Sequence, residues 1–290
     1  MTEIFQLCSV VTESDFINNN YTYDNDRYVA NIKYDGERIM AKVENGEVIL
    51  INRNKRCCNS NFPEIVKELE KLKKGNFILD GEIISKDDDF NKLQKRALTK
   101  DKEKQKELMK EIPVCFMVFD ILKYEDINVR SKELNERINY IKNFEGLFEE
   151  LKIDKELIKV AEFLKPKVMY EKAREEKREG IVIKKLNYSY SEGRNSGWWY
   201  KIKFFKEEVF EAISYTTNNK GIRVEDKNGN SCQISNSDYH EVKKIIDKNG
   251  KALINIQFLE KTKDNRYRFP SYRGMVKDEL NDDEEDEDDE

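Results

Sequence analysis

The chain has 290 residues, 38% charged and 38% hydrophobic, enough for one large or two ordinary domains with a sizeable core. Its five cysteines, Cys8, Cys57, Cys58, Cys115 and Cys232, are odd in number and form no C-x-x-C pair, which argues against a disulfide frame or a zinc site. The net charge of -5 hides a basic body: nine acids stand in the last ten residues, and without them 53 basic residues face 49 acidic ones, as suits a phosphate-bearing partner.

No apolar run is long enough to span a membrane, and Met1 to Phe5 lacks the basic and apolar regions of a secretory signal. An intracellular monomer with no membrane partner is expected, in cytoplasm or nucleus and with a viral source allowed. Residues 1–28 are polar, contain Asn18-Asn19-Asn20 and read as an irregular lead-in. Val29 to Ile32 is a short apolar run ending at Lys33. The Asp35-Gly36 turn follows, then Arg38 and a second apolar run with Ile39, Ala41 and Val43 in alternation. This sets a lysine at a strand end, with a carboxylate and a guanidinium close by. Asn45-Gly46 predicts a hairpin turn. The returning strand, Val48 to Ile51, delivers Asn52-Arg53-Asn54, so Arg53 is either a phosphate or ribose contact or a solvated loop arginine.

A helix is predicted from Pro63, with Ile65, Leu69 and Leu72 on one face. Phe77 to Ile84 reads as a buried strand carrying Asp80 and Glu82 on one side. Two carboxylates there cost free energy unless a metal ion, a ribose hydroxyl or basic partners meet them. A charged helix is predicted from Phe90 to Glu111, ended by Pro113. Val114 to Leu122 is a continuous apolar strand, in which Phe119 is either core or a platform for a base. Residues 131–156 carry a helix with Leu134, Ile138 and Ile141 on one face. Glu179-Gly180 opens a further buried strand, and Glu179 is a plausible metal ligand. Lys201 and Lys203 lie two apart in a strand and share a side. Two ammonium groups so placed repel unless an anion, such as a triphosphate, lies between them. Strands and one helix over about seventy-five residues from 207 onward suggest a small barrel of the oligonucleotide-binding kind. The acidic end, 281–290, has the composition of a disordered tail.

Taken together, Lys33-Tyr34-Asp35-Gly36-Glu37-Arg38, Asn52-Arg53-Asn54, Leu79-Asp80-Gly81-Glu82, Val118-Phe119-Asp120, Glu179-Gly180-Ile181-Val182-Ile183-Lys184 and Trp199-Tyr200-Lys201-Ile202-Lys203 resemble the covalent nucleotidyltransferase superfamily. Within it they resemble the small ATP-dependent DNA ligases, in order, over roughly residues 29 to 275. The resemblance implies an α+β fold. A nucleotidyltransferase (adenylation) domain of antiparallel sheets flanked by helices would span 1–205, and a small OB-fold β-barrel 206–280. It implies sealing of nicked duplex DNA with ATP and Mg2+ (or Mn2+).

In that reading Lys33 takes AMP, Asp35 orients the reacting groups, Arg38 and Glu82 hold the ribose, and Phe119 stacks on adenine. Glu179 and Asp80 hold the metal, Lys201 and Lys203 grip the ATP phosphates, and Arg53 and Arg194 bind the 5′-phosphate at the nick. Cations near Lys33 are expected to lower its pKa. The chain departs from the family near its end. After Arg273-Gly274-Met275 it has Val276 where an arginine is usual, and Lys277 or Arg273 would have to substitute. A capping guanylyltransferase, an RNA ligase and a non-catalytic binding protein are the alternatives. NAD-dependent ligases fit less well, because only 32 residues precede Lys33 and no cysteine-rich module follows.

Overall fold

The computed structural model describes residues 5–18, 23–194, 197–235, 237–262 and 264–276. The acidic stretch 281–290 lies outside them. The chain divides into two compact units, Met1–Lys203 and Phe204–Glu290.

Two sheets organise the first unit. The larger runs in the order Glu47–Asn52, Glu37–Glu44, Phe77–Ser85, Val114–Tyr124, Ile127–Asn128, and Ile158–Val160 pairs in parallel with Val114–Tyr124. The smaller runs Ser9–Val10, Trp199–Lys203, Gly180–Lys185, Tyr28–Ile32. Most pairings are antiparallel, as expected. The first hairpin turns at Asn45-Gly46 with φ of 52° and 82°, a conformation open to asparagine and glycine. The central strand Val114–Tyr124 is buried over most of its length because its run is apolar on both faces. Its core partners include Phe62, Ile65 and Leu69 around the helix Pro63–Leu69, and Ile141, Phe144 and Phe148 from the helix Leu134–Glu150. The latter helix is closed at its start by a capping box of Glu133 and Glu136.

Two expectations are corrected. The charged helix foreseen from Phe90 to Glu111 is two helices, Phe90–Leu98 and Lys102–Glu111. Thr99 turns to an extended backbone, and the Asp101 side chain accepts from the Lys104 amide, so a new N-cap starts inside the charged run. The lead-in is not irregular throughout. Gln6–Leu7 pairs in parallel with Gly193–Arg194, and Ser9–Val10 in parallel with Tyr200–Lys201. Glu13–Asn18 is helical and buries Phe16. These strands are two residues long and their partners lie nearly two hundred residues away, so no local alternation reveals them.

The second unit has two three-stranded sheets. One is Lys206–Ala212, Ala252–Phe258 and Ser271–Met275; the other is Ser214–Asn218, Gly221–Glu225 and Ser231–Ile234. They share a core that includes Phe210, Ile222, Val224, Ile234, Ile254 and Ile256, with the helix Tyr239–Asn249 adding Val242 and Ile246. No helix among the described residues is long and apolar enough to cross a membrane.

Candidate active site

Strand register brings the site together. Tyr28–Ile32 ends where Gly180–Lys185 begins: Ile32 faces Ile181, and the Lys33 amide donates to the Gly180 carbonyl at 2.9 Å. Glu179, one residue earlier, therefore lies beside Lys33, and Lys33 Nζ reaches Glu179 Oε2 at 2.5 Å. On the other side Gly180 faces Lys203, whose Nζ is 2.7 Å from Glu179 Oε1. Position 180 must be glycine, since its φ is +156° and a Cβ would sit 1.9 Å from the Ile202 carbonyl oxygen. One carboxylate thus holds two lysines that are 170 residues apart.

A cavity opens between the two sheets. Lys33, Val182, Lys184, Trp199 and Lys201 line it from the smaller sheet, and Arg38, Glu82 and Phe119 from the larger. Burial pushes the Lys33 ammonium toward its neutral form, but Glu179 and Glu82 outweigh it and hold the pKa above its usual value. The expected lowering by nearby cations is therefore corrected: in this arrangement the acids win. Burial lifts Glu82 to about 7, against the pull of Lys33 and Arg38. Asp35 is among the charges acting on Lys33.

Asp80, a metal ligand with Glu179 in the resemblance, is fully buried and engaged by cations and donors of the protein. Its Oδ1 accepts from Arg38 Nε at 3.0 Å, and Oδ2 accepts from Arg38 Nη2 at 2.6 Å and from the Tyr190 hydroxyl at 2.7 Å. Phe119, 7% exposed, has Arg38 and Lys184 against its ring at 5.1 and 4.5 Å.

Arg53 is exposed in the turn after Glu47–Asn52. Asn52 builds that turn: its side-chain oxygen accepts from the amides of Asn54 and Arg56, both at 3.0 Å. Arg53 lines both the cavity of Lys33 and a neighbouring one beside the helix Phe90–Leu98. Arg194 pairs its backbone with Leu7, and its side chain lies outside the described residues. In the second unit the Val276 amide donates to the Leu253 carbonyl, Arg273 donates to Gln257 Oε1, and Lys277 lies outside the described residues.

Sequence reasoning gave no role to two residues of this cavity, Asn31 and Lys184. Asn31 is 2% exposed, and its amide oxygen has no partner among the described residues. Lys184 is fully buried, donates to the Phe119 carbonyl at 3.0 Å and lies 4.2 Å from the Trp199 ring centre. The two-residue strand period was the available signal, placing Asn31 with Lys33 and Lys184 with Val182.

Burial lowers the Lys184 pKa to about 8 from the ordinary 10.5. At neutral pH the group is charged in both states, and carrying that charge in the folded state rather than in the unfolded chain costs about 3 kcal/mol. Between those two pKa values the unfolded chain binds more protons, so this group makes stability rise as pH rises from 8 toward 10.5. Lys184→Met is expected to stabilise the fold at pH 7 by up to about 3 kcal/mol and to flatten that rise. Urea unfolding at pH 7 and pH 10 measures both, and a destabilised variant with an unchanged pH slope contradicts the assignment.

Comparison with known proteins agrees with this geometry. The family profile described as "ATP dependent DNA ligase domain" matches residues 6–203. A DNA ligase of Aeropyrum pernix is 28% identical over 200 residues, covering 64% of this chain and 32% of the relative. The chain spans about a third of the length of the curated relatives it matches. Among solved structures, a Lig E DNA ligase superposes with a TM-score of 0.65 at 17% identity, covering 95% of this chain and 100% of the other. A mycobacterial DNA ligase D complexed with ATP superposes with a TM-score of 0.59 at 17% identity, covering 95% of each chain. The fold is thus the nucleotidyltransferase type of the ligases, with mixed α and β content. With the profile matching well over half its length, the chain belongs to the ATP-dependent DNA ligase domain family.

Proposed function

We propose that this protein is an intracellular, monomeric ATP-dependent DNA ligase that seals nicks in duplex DNA through a lysyl-AMP intermediate. The observation that carries the reading is the meeting of Lys33 and Lys203 on Glu179, in a cavity lined by Arg38, Glu82, Phe119 and Lys201. We take Met1–Lys203 as the adenylation domain and the following unit as an OB-fold domain. The two three-stranded sheets with one helix support the second assignment.

In this reading Lys33 Nζ attacks the α-phosphorus of ATP: a P–N bond forms, the P–O bond to pyrophosphate breaks, and Lys33 loses a proton. Losing Glu179 as its ion-pair partner favours that loss, because Glu179 is the strongest of the charges raising the lysine's pKa. Lys201 and Lys203 neutralise the departing phosphates, and Asp35 orients the lysine. Arg38 and Glu82 hold the ribose, and Phe119 stacks on the base. AMP then moves to the 5′-phosphate of the nick, held by Arg53 and Arg194, as the P–N bond breaks and a P–O bond forms. The 3′-hydroxyl finally attacks that phosphate, and AMP leaves.

No group of three or more acid, histidine or cysteine ligands occurs among the described residues. Glu179, whose carboxylate already meets two cations in this cavity, would hold a Mg2+ or Mn2+ ion, which would supply withdrawal of charge from the phosphate.

The Asn31 amide oxygen, unpartnered among the described residues, and the Lys184 ammonium line the same cavity as Phe119 and offer polar contacts to a base stacked there. Incubation with α-labelled ATP or GTP, then with nicked DNA or nicked RNA, tests the reading. Acid-labile label on the protein from ATP and sealing of DNA are expected, whereas label from GTP alone would end it. Arg53→Ala is expected to slow sealing by adenylylated enzyme about 10- to 100-fold while self-adenylylation changes less than about threefold. Equal loss in both steps, read by rapid quench, refutes that division.

A further inference from the structure

Arg38 stands on a chain of contacts that reaches the first strand of the protein. Its guanidinium lies between aromatic rings, 5.1 Å from the centres of both Phe5 and Phe119 and 5.5 Å from that of Trp199. Those faces limit tilt, but they leave the group free to turn in its own plane. The bidentate contact of Nε and Nη2 with Asp80 stops that rotation. Nη1 has no hydrogen-bond partner among the described residues, so it remains for a ligand of the cavity that Arg38 lines.

Asp80 needs an anchor of its own, and Tyr190 supplies one. The phenol oxygen accepts from the Gln6 backbone amide at 3.0 Å. An amide can only donate, so the single phenolic proton is left to point at Asp80 Oδ2, 2.7 Å away. The direction of the whole relay is thereby set: Gln6 N–H to Tyr190 O–H to the Asp80 carboxylate, and from there to Arg38. Burial keeps Tyr190 un-ionised, well above its ordinary pKa, so the proton stays available. The ring is held independently, at 5.9 Å from the Trp199 ring and 5.8 Å from the Arg137 guanidinium.

We propose that Tyr190 is a positioning residue that locks the Asp80–Arg38 pair to the N-terminal strand and so aims Arg38 at the sugar of ATP. The proposal rests on the reading above that Arg38 holds the ribose. It gives the segment around Gln6, which also pairs with Gly193–Arg194, a part in nucleotide selection.

The test is Tyr190→Phe, which removes one hydroxyl and keeps the ring packing. Self-adenylylation is measured with ATP, 2′-deoxy-ATP and 3′-deoxy-ATP in the full chain, with a thermal melt on each variant. The expected result is an ATP KM raised about tenfold with kcat within about threefold. The preference for ATP over the deoxy nucleotide that the natural chain discriminates against most should fall about fivefold or more. A purely structural defect lowers the active fraction equally for all three nucleotides and leaves the preference where it was, which overturns the proposal. Tyr190→Phe added to Arg38→Lys gives a second measurement: no further change in preference is expected, and a full additional change shows that Tyr190 does not act through Arg38. A natural chain that adenylylates but ignores the sugar hydroxyls also overturns it. One that takes no label from ATP fails at the functional reading itself.

Discussion

Lys33→Ala is expected to abolish AMP transfer to the protein, a loss of at least about 10^4-fold, because alanine offers no atom to form the P–N bond. The fold should survive. The residue is partly exposed at 22% of its side chain, and Glu179 keeps Lys203 at 2.7 Å when Lys33 is removed, so no buried carboxylate is left without a counter-ion. The variant also separates the steps. Sealing of a nick that already carries AMP on its 5′-phosphate does not use the lysine as nucleophile, so it should persist in the variant without ATP. Retained label on the Lys33→Ala protein sinks the assignment of the nucleophile. Loss of pre-adenylylated sealing along with a normal melt would mean that Lys33 also acts after the AMP has left it.

The largest loss of stability is expected at Asp120. Its carboxylate meets Arg137 in a two-pronged contact, Nε to Oδ1 and Nη2 to Oδ2, each at 2.8 Å, with both side chains fully buried. Arg137 also donates to the carbonyls of Lys132 and Tyr188. The pair therefore ties the helix Leu134–Glu150 to the strand that carries Phe119 and to the chain just before Tyr190. Asp120→Ala leaves the guanidinium buried without its counter-charge, a cost of about 3–5 kcal/mol. Urea unfolding should show it as a lowered midpoint. Asp120→Leu combined with Arg137→Met should recover most of the loss, since replacing both members of a buried pair by apolar residues is often close to neutral. A single-variant loss under about 1 kcal/mol would mean that water or the backbone carbonyls already satisfy Arg137.

Much of the first unit was legible in residue order. Alternation at Ile39, Ala41 and Val43, the Asn45-Gly46 turn and the apolar run Val114 to Leu122 all became strands and a turn at those places. The charged stretch after Phe90 was less so, because one threonine and one N-capping aspartate divide a pattern that is helical on both sides. Lys33, Arg38, Glu82, Phe119 and Lys201, picked out from separate stretches, line one cavity. Asp80 was legible as a strand carboxylate that needs a metal, a ribose hydroxyl or a basic partner; alternation tells which face it takes, and only the fold shows Arg38 opposite.

What the residue order by itself determined is the set of elements and the chemistry each carries, because turns, caps and alternation act over a few residues. Only the tertiary structure decided that Glu179 binds Lys33 across 146 positions, that Asp80 neutralises Arg38, and that a two-residue strand at Gln6 reaches Tyr190. The physical reason is register. Charge pairing is decided within about 3 Å, and strands far apart in the chain come that close only after the sheets have formed.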